Sequence, residues 1–253
     1  MIGRKSVIGI ATLSALAVCA ISAPSAMAYQ TAVTCSSGAA SKTFTDAHCT
    51  TAGGLGTYGH ATISAGEIIE IGGSNESTAS ETFAAAPSRL KGALSGVATE
   101  IECTGVTGIG ILRNVQPAVL MFVEGAGELH YTGCSVTKPA GKGCEVKEGE
   151  VNTEVLYATT DSQLSGFLKV EPGSTAKENK LAFITIEGCS IFALNNTFPV
   201  GGHLLASVNG ATATTTHSGI TSQETLTFGG VKAGLEGAFT TTAVNGGQGI
   251  ALT

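Results

Sequence analysis

Charged and aromatic residues are scarce in this chain of 253 residues. Charged residues make up 13% of it, against about 25% in a typical soluble protein. The chain has no tryptophan and only four tyrosines. This shortage disfavours a sugar-binding groove, because such grooves usually stack the sugar on aromatic rings. A glycan-binding site built from Asn and Thr hydrogen bonds stays open as an alternative.

Sequence motifs for catalysis and for metal binding are also missing. The chain has no G-D-S-G or G-x-S-x-G segment for a serine nucleophile, and no C-x-x-C or H-E-x-x-H segment for a metal. The side chains that could bind a metal do not have the spacing of a metal site: His48, Cys49, His60, His130, His203 and His217. We therefore predict no metal, no cofactor and no catalytic residue. A secreted hydrolase with an unrecognised site is the alternative.

The first 28 residues predict an export signal. Arg4 and Lys5 precede an apolar run over residues 7–21, and Ala26-Met27-Ala28 has the small-residue pattern of a cleavage site. The apolar run is shorter than the roughly 18 residues that a membrane span needs. We therefore expect residues 1–28 to be removed, and a mature chain without a membrane span to begin at Tyr29.

The charge balance of the mature chain bears on its partners. The 13 basic residues of the chain include two in the leader, so the mature chain carries 11 basic and 19 acidic residues, a formal charge of −8. Nucleic acid is disfavoured as a partner, because binding to phosphates requires a basic surface. We expect a secreted protein or a component of the cell envelope, which binds an unknown partner or copies of itself.

Six cysteines remain after the leader, and export exposes them to an oxidising environment in which thiols form disulfides. Six cysteines allow many pairings, so the sequence does not decide among them rigorously. Proximity along the chain favours Cys35 with Cys49 and Cys134 with Cys144. Cys103 and Cys189 would then form a third, long-range bridge.

Alternation of residues with a period of two is the dominant pattern of the chain. Residues 99–103 and 181–187 alternate in this way, which is typical of half-buried strands. Glu100 and Glu102 share the face that we expect to point to solvent. Glycine-rich segments interrupt the alternating runs and predict turns: Gly72-Gly73, Gly125-Ala126-Gly127, Pro172-Gly173, Asn209-Gly210, Gly229-Gly230 and Asn245-Gly246.

Many short strands separated by such turns predict an all-β, antiparallel fold stapled by disulfides. The architecture we expect is a β-sandwich or jelly-roll, with a barrel as the related possibility. The Gly- and Thr-rich stretch 50–59 is the one change of composition in the mature chain. We therefore predict an N-terminal arm over residues 29–60 that contains a disulfide-closed loop, followed by a single β-sandwich domain over residues 61–253.

The segment Thr45-Asp46-Ala47-His48-Cys49 resembles the T-A-A-H-C segment of chymotrypsin-like serine proteases. In those enzymes the histidine acts as a general base, and it needs a carboxylate to orient it and a serine nucleophile. The chain has only two aspartates, Asp46 and Asp161, and Asp161 is followed directly by Ser162. Neighbours in the chain cannot serve as orienting group and nucleophile, so we expect His48 to lie beside a stapled turn.

Three segments together resemble an uncharacterised family of secreted bacterial proteins: residues 100–105, 131–144 and 186–189. Each contains at least one of the mature cysteines. The resemblance implies export and a β-rich fold with paired cysteines, and it implies no catalytic residue. We therefore expect a non-enzymatic protein with a structural or binding role.

Overall fold

The computed structural model describes residues 30–74, 87–116, 121–160, 167–209, 212–216, 225–244 and 248–253. The expected signal segment and its cleavage site lie outside the described residues. The same is true of Asp161, Ser162 and His217, of Gly210 and of Asn245-Gly246. No helix in the described ranges has the length and hydrophobicity that crossing a membrane would require.

The described residues form eighteen strands and three short 3-10 turns. The strands are β1 (Ala32–Ser36), β2 (Gly59–Thr62), β3 (Ile68–Ser74), β4 (Ser88–Leu94), β5 (Val97–Val115), β6 (Phe122–Lys138), β7 (Glu145–Val146), β8 (Val151–Asn152), β9 (Leu156–Thr160), β10 (Phe167–Pro172), β11 (Ala182–Glu187), β12 (Asn196–Gly201), β13 (Leu204–Asn209), β14 (Thr212–Thr216), β15 (Thr227–Phe228), β16 (Val231–Lys232), β17 (Gly234–Ala243) and β18 (Ile250–Leu252). The 3-10 turns are Lys147–Gly149, Lys177–Asn179 and Phe192–Leu194.

Ten strands form one antiparallel sheet that closes on itself. Their order is β3-β5-β4-β17-β14-β13-β10-β9-β6-β8, and β5 also pairs with β6. The long strand β5 pairs through its first half with β4 and through its second half with β3, while β17 pairs with both of these short strands. The sheet therefore encloses an interior.

Two smaller sheets pack against this closed sheet. The sheet β16-β15-β12-β11-β7 contributes buried residues such as Ile184, Phe198 and Phe228 to the larger core cluster, together with residues of β4, β5 and β6. The sheet β18-β1-β2 contributes Ala32 and Ile250 to a second, smaller cluster. The core is therefore divided between two clusters.

The all-β, antiparallel and disulfide-stapled class that the sequence predicts is confirmed. In β5, Thr99, Ile101 and Cys103 are buried, as their alternation predicts. In β11 the buried residues are Ala182, Ile184 and Ile186, again every second residue. Alternation identified these strands because one face of each packs on the core.

The expected turns have mixed outcomes. Gly229-Gly230 forms the turn between β15 and β16, and Gly173 directly follows the end of β10. The other two expected turns that the structure describes are wrong. Gly72-Gly73 lies within β3, and Gly125-Ala126-Gly127 lies within β6.

The expected arm and main body share a sheet. The boundary expected between residues 60 and 61 falls inside β2, and β1 pairs with both β2 and the C-terminal strand β18. Asn114 of β5 joins this sheet to the closed sheet. Its amide accepts a hydrogen bond from the Ala32 N–H (2.8 Å) and donates to the carbonyl oxygens of Ala32 (2.9 Å) and Ile63 (2.7 Å).

Two of the three expected disulfide pairings are wrong. Cys35 is bonded to Cys49, as expected, but Cys103 is bonded to Cys134 and Cys144 to Cys189. Separation along the chain is misleading here because β5 and β6 are long antiparallel neighbours.

The strand register explains both corrected bridges. Cys103 lies directly opposite Cys134 in the β5–β6 pair, with 3.9 Å between their Cα atoms. Glu145 of β7 lies opposite Glu187 of β11, which brings Cys144 to Cys189 with 4.1 Å between Cα atoms. The second bridge therefore staples two strands of the five-stranded sheet.

Candidate functional site

A partly open apolar cavity of about 220 Å³ occupies the interior of the closed sheet. Residues of both core clusters line it, among them Ile101 and Ile184 from the larger cluster and Leu112 and Leu168 from the smaller one. The cavity therefore lies between the two clusters. A native interior is normally packed without such voids, so a space of this size is the leading candidate for a binding site.

Several apolar side chains of the wall keep accessible surface although they lie inside the molecule. Leu156, Ala158 and Val170 are only half-buried, and all three line the cavity. Apolar side chains are normally covered by neighbouring atoms, and here the covering atoms are missing on the cavity side. A bound molecule would supply those contacts.

Glycines form part of the wall where β5 and β6 pair. At Gly110, Gly125 and Gly127 an added Cβ atom would lie within 2.6–2.7 Å of a carbonyl oxygen on the opposite strand. The two strands therefore approach more closely than any residue with a side chain allows, which is typical of a tight bend in a strand. Gly110 lies opposite Gly127, so this stretch of wall has no side chains to fill the interior.

Tyr131 faces the interior because β6 changes its alternation. Val123 and Gly125 are buried on the odd-numbered face, whereas further along the strand the buried residue is Cys134. Between them Gly133 has a φ of 59°, a left-handed conformation that glycine adopts without strain. Tyr131 precedes this change and lies among the residues that line the cavity.

The hydroxyl of Tyr131 is an unused polar group. No hydrogen bond joins this hydroxyl to any of the residues that the structure describes. Burial raises the pKa of Tyr131 to about 12, so the hydroxyl stays protonated at neutral pH and can donate a hydrogen bond. By contrast, the hydroxyl of Thr153, which also lines the cavity, already accepts a hydrogen bond from the Leu129 N–H (2.8 Å).

The protease-like segment has a structural role. The carboxylate of Asp46 accepts hydrogen bonds from the backbone N–H groups of His48 (2.9 Å), Thr50 (3.2 Å) and Thr51 (2.7 Å). Burial alone would raise the pKa of Asp46, but these hydrogen bonds together lower it to about 2. Asp46 thus holds together the loop that the Cys35–Cys49 bridge closes.

Among the described residues, no three His, Cys, Asp or Glu side chains lie close enough together to hold a metal. The candidate ligands have other partners: Cys49 is in a disulfide, His60 packs against the ring of Phe44, His130 hydrogen-bonds Asn152, and His203 hydrogen-bonds Thr225. His217 lies outside the described ranges. The histidines that are described therefore lie apart from one another.

Glu100 and Glu102 lie on the outer face of β5 and form ion pairs across the sheet. Glu102 contacts Arg89 at 2.7 Å, and Glu100 contacts Lys138 at 2.8 Å. The hydrogen bond from Lys138 lowers the pKa of Glu100. These carboxylates stabilise strand pairing on the outside of the sheet.

Comparison of the chain with protein-family models, with curated proteins and with solved structures finds no match. The argument for function therefore depends on the cavity and on the side chains that line it.

Proposed function

We propose that this is a non-enzymatic protein, secreted or held in the cell envelope, that binds one small apolar molecule inside its closed sheet. The observation that carries this proposal is the cavity of about 220 Å³ with a wall made almost entirely of apolar groups. Such a wall supplies binding energy through burial of apolar surface. Small-molecule sites commonly combine an apolar lining with very few polar groups.

The volume of the cavity sets the size of the ligand. An apolar cavity of about 150 Å³ is known to hold benzene, which has about six non-hydrogen atoms. By proportion, a cavity of about 220 Å³ holds about nine. Burial of that many carbon atoms supports a dissociation constant on the order of 0.1 mM, after the cost of association is included.

The proposed location has separate support. Three intramolecular disulfides and an all-β fold fit an extracellular protein, since thiols are kept reduced in the cytosol. The predicted signal segment and the resemblance to exported bacterial proteins agree with export. N-terminal sequencing of exported material should begin at Tyr29, and material that retains Met1 would contradict this part of the proposal.

Binding can be tested with 4-fluorotoluene, an apolar probe of about eight non-hydrogen atoms that fits the volume estimated above. Fluorine NMR should show broadening or a shift of its resonance on addition of the mature protein. Ala158→Leu places extra carbon atoms into the cavity, because Ala158 lines it and is only half-buried. Ala98→Leu is the matched control, since Ala98 is exposed and is not among the lining residues.

We expect the wild type and Ala98→Leu to bind the probe equally well, and Ala158→Leu to bind it at least fivefold more weakly. Loss of binding in both variants would place the probe elsewhere on the protein. Absence of binding to folded wild-type protein would overturn the proposed function.

A further inference from the structure

We propose that the hydroxyl of Tyr131 is the polar anchor of the cavity, and that it selects an uncharged ligand that carries one oxygen atom, such as a phenol, an alcohol or a ketone. This inference rests on the proposed function, because it names the chemical class of the molecule that the cavity binds.

The first step of the argument concerns the unused hydrogen bond. Tyr131 lines the cavity, and its hydroxyl has no partner among the described residues. Buried polar groups in folded proteins nearly always have a partner, and an exception calls for a ligand or an ordered water. A ligand oxygen within reach of this hydroxyl would provide that partner.

The second step excludes the other hydroxyl groups of the wall. Thr153 is already engaged by the Leu129 N–H. Ser88 lines the cavity but is only 6% exposed, so it offers almost no surface to a ligand. Tyr131 keeps accessible surface, and since it lies deep in the protein, that surface faces the cavity.

The third step concerns charge. Among the described residues of the lining, the ionisable groups are Tyr131 and the exposed Glu128, and none is basic. A carboxylate ligand would enter an apolar space with no positive charge to balance it and with Glu128 nearby. An ammonium group could pair only with the exposed Glu128 and would be unpaired inside. The cost of burying an unpaired charge therefore excludes both kinds of ligand.

The experiment compares two probes of nearly equal shape. 4-Ethylphenol and 4-ethyltoluene have about nine non-hydrogen atoms each, which matches the cavity. They differ by a hydroxyl in place of a methyl group. Their dissociation constants are measured by titration calorimetry on the wild type, on Tyr131→Phe and on Ser88→Ala. Tyr131→Phe removes only a hydroxyl that makes no hydrogen bond to the described protein, so we expect the variant to fold.

We expect Tyr131→Phe to weaken binding of 4-ethylphenol about three- to tenfold, the effect of one hydrogen bond. The same variant should change binding of 4-ethyltoluene by less than about twofold, and Ser88→Ala should change neither. The charged analogues 4-methylbenzoate and 4-methylbenzylammonium should bind at least about tenfold more weakly than 4-ethylphenol.

The outcomes separate this inference from the proposed function. If both neutral probes bind and Tyr131→Phe affects them equally, the cavity binds ligands but Tyr131 is not its anchor. If Ser88→Ala weakens 4-ethylphenol instead, the anchor is Ser88 and the assignment to Tyr131 is wrong. If neither neutral probe binds to the wild type, the proposed function itself fails.

Discussion

Asn114 provides the sharpest prediction about stability, because one buried amide joins the N-terminal strands to the closed sheet. Its side chain is fully buried and forms three hydrogen bonds, two with Ala32 and one with Ile63. In Asn114→Ala, the Ala32 carbonyl keeps the hydrogen bond from the Ile63 N–H (3.2 Å). The Ala32 N–H and the Ile63 carbonyl lose the bond to Asn114.

Each unsatisfied buried group costs about 1–3 kcal/mol. We therefore expect Asn114→Ala to lower the free energy of unfolding by about 2–5 kcal/mol, measured by urea denaturation of the oxidised mature protein. Hydrogen exchange should show that amide protection is lost first in β1 and β2. The control is Asn196→Ala, at an exposed position, which should cost less than about 0.5 kcal/mol. A cost below about 1 kcal/mol for Asn114→Ala, or uniform loss of protection, would refute this account.

Three further predictions follow from the local geometry. Gly127→Ala should destabilise the protein by about 2–3 kcal/mol in thermal or urea unfolding, whereas Gly54→Ala, with open space around it, should be nearly neutral. Asp46 has a folded-state pKa of about 2, below its ordinary 3.8, so its stabilisation is complete above about pH 4 and is lost as the pH falls to 2. Asp46→Asn should remove that pH dependence and cost about 1 kcal/mol at neutral pH, an amount reduced for solvent exposure; equal acid sensitivity of variant and wild type would contradict it. Peptide mapping without reduction should link Cys103 to Cys134, and any other partner would contradict the strand register.

The class of fold could be predicted from the sequence, because it depends on local patterns. In residues 99–103 and 181–187, alternation follows burial directly, since each strand packs one face on the core. The bridge from Cys35 to Cys49 was accessible for a similar reason, because a short loop holds both ends. These features depend on residues that are close in the chain.

The disulfides of the central strands depend on pairing over long distances, and proximity misassigned them. Cys134 is closer to Cys144 in the sequence than to Cys103, yet the β5–β6 register places it opposite Cys103. The register is set by the whole length of the two strands, from Glu100 to Val115 on β5. No local pattern around a single cysteine encodes that alignment.

The cavity was missed because its signal was interpreted as a turn. Gly125-Ala126-Gly127 predicted a chain reversal, whereas in the structure it continues β6 and bends it. The useful signal was the spacing of two between glycines, at Gly108 and Gly110 as well as at Gly125 and Gly127. In an alternating strand this spacing places every glycine on one face and leaves that face bare.

The central claim is that a small apolar molecule occupies the interior of the closed sheet. A crystal structure of the mature protein soaked with 4-ethyltoluene tests it most directly, because the position of the ligand is then observed. The account predicts electron density for one molecule in the cavity, in contact with Ala158 and Leu168 and close to Tyr131. A cavity filled by protein side chains, or density for the ligand only on the outer surface, would contradict it.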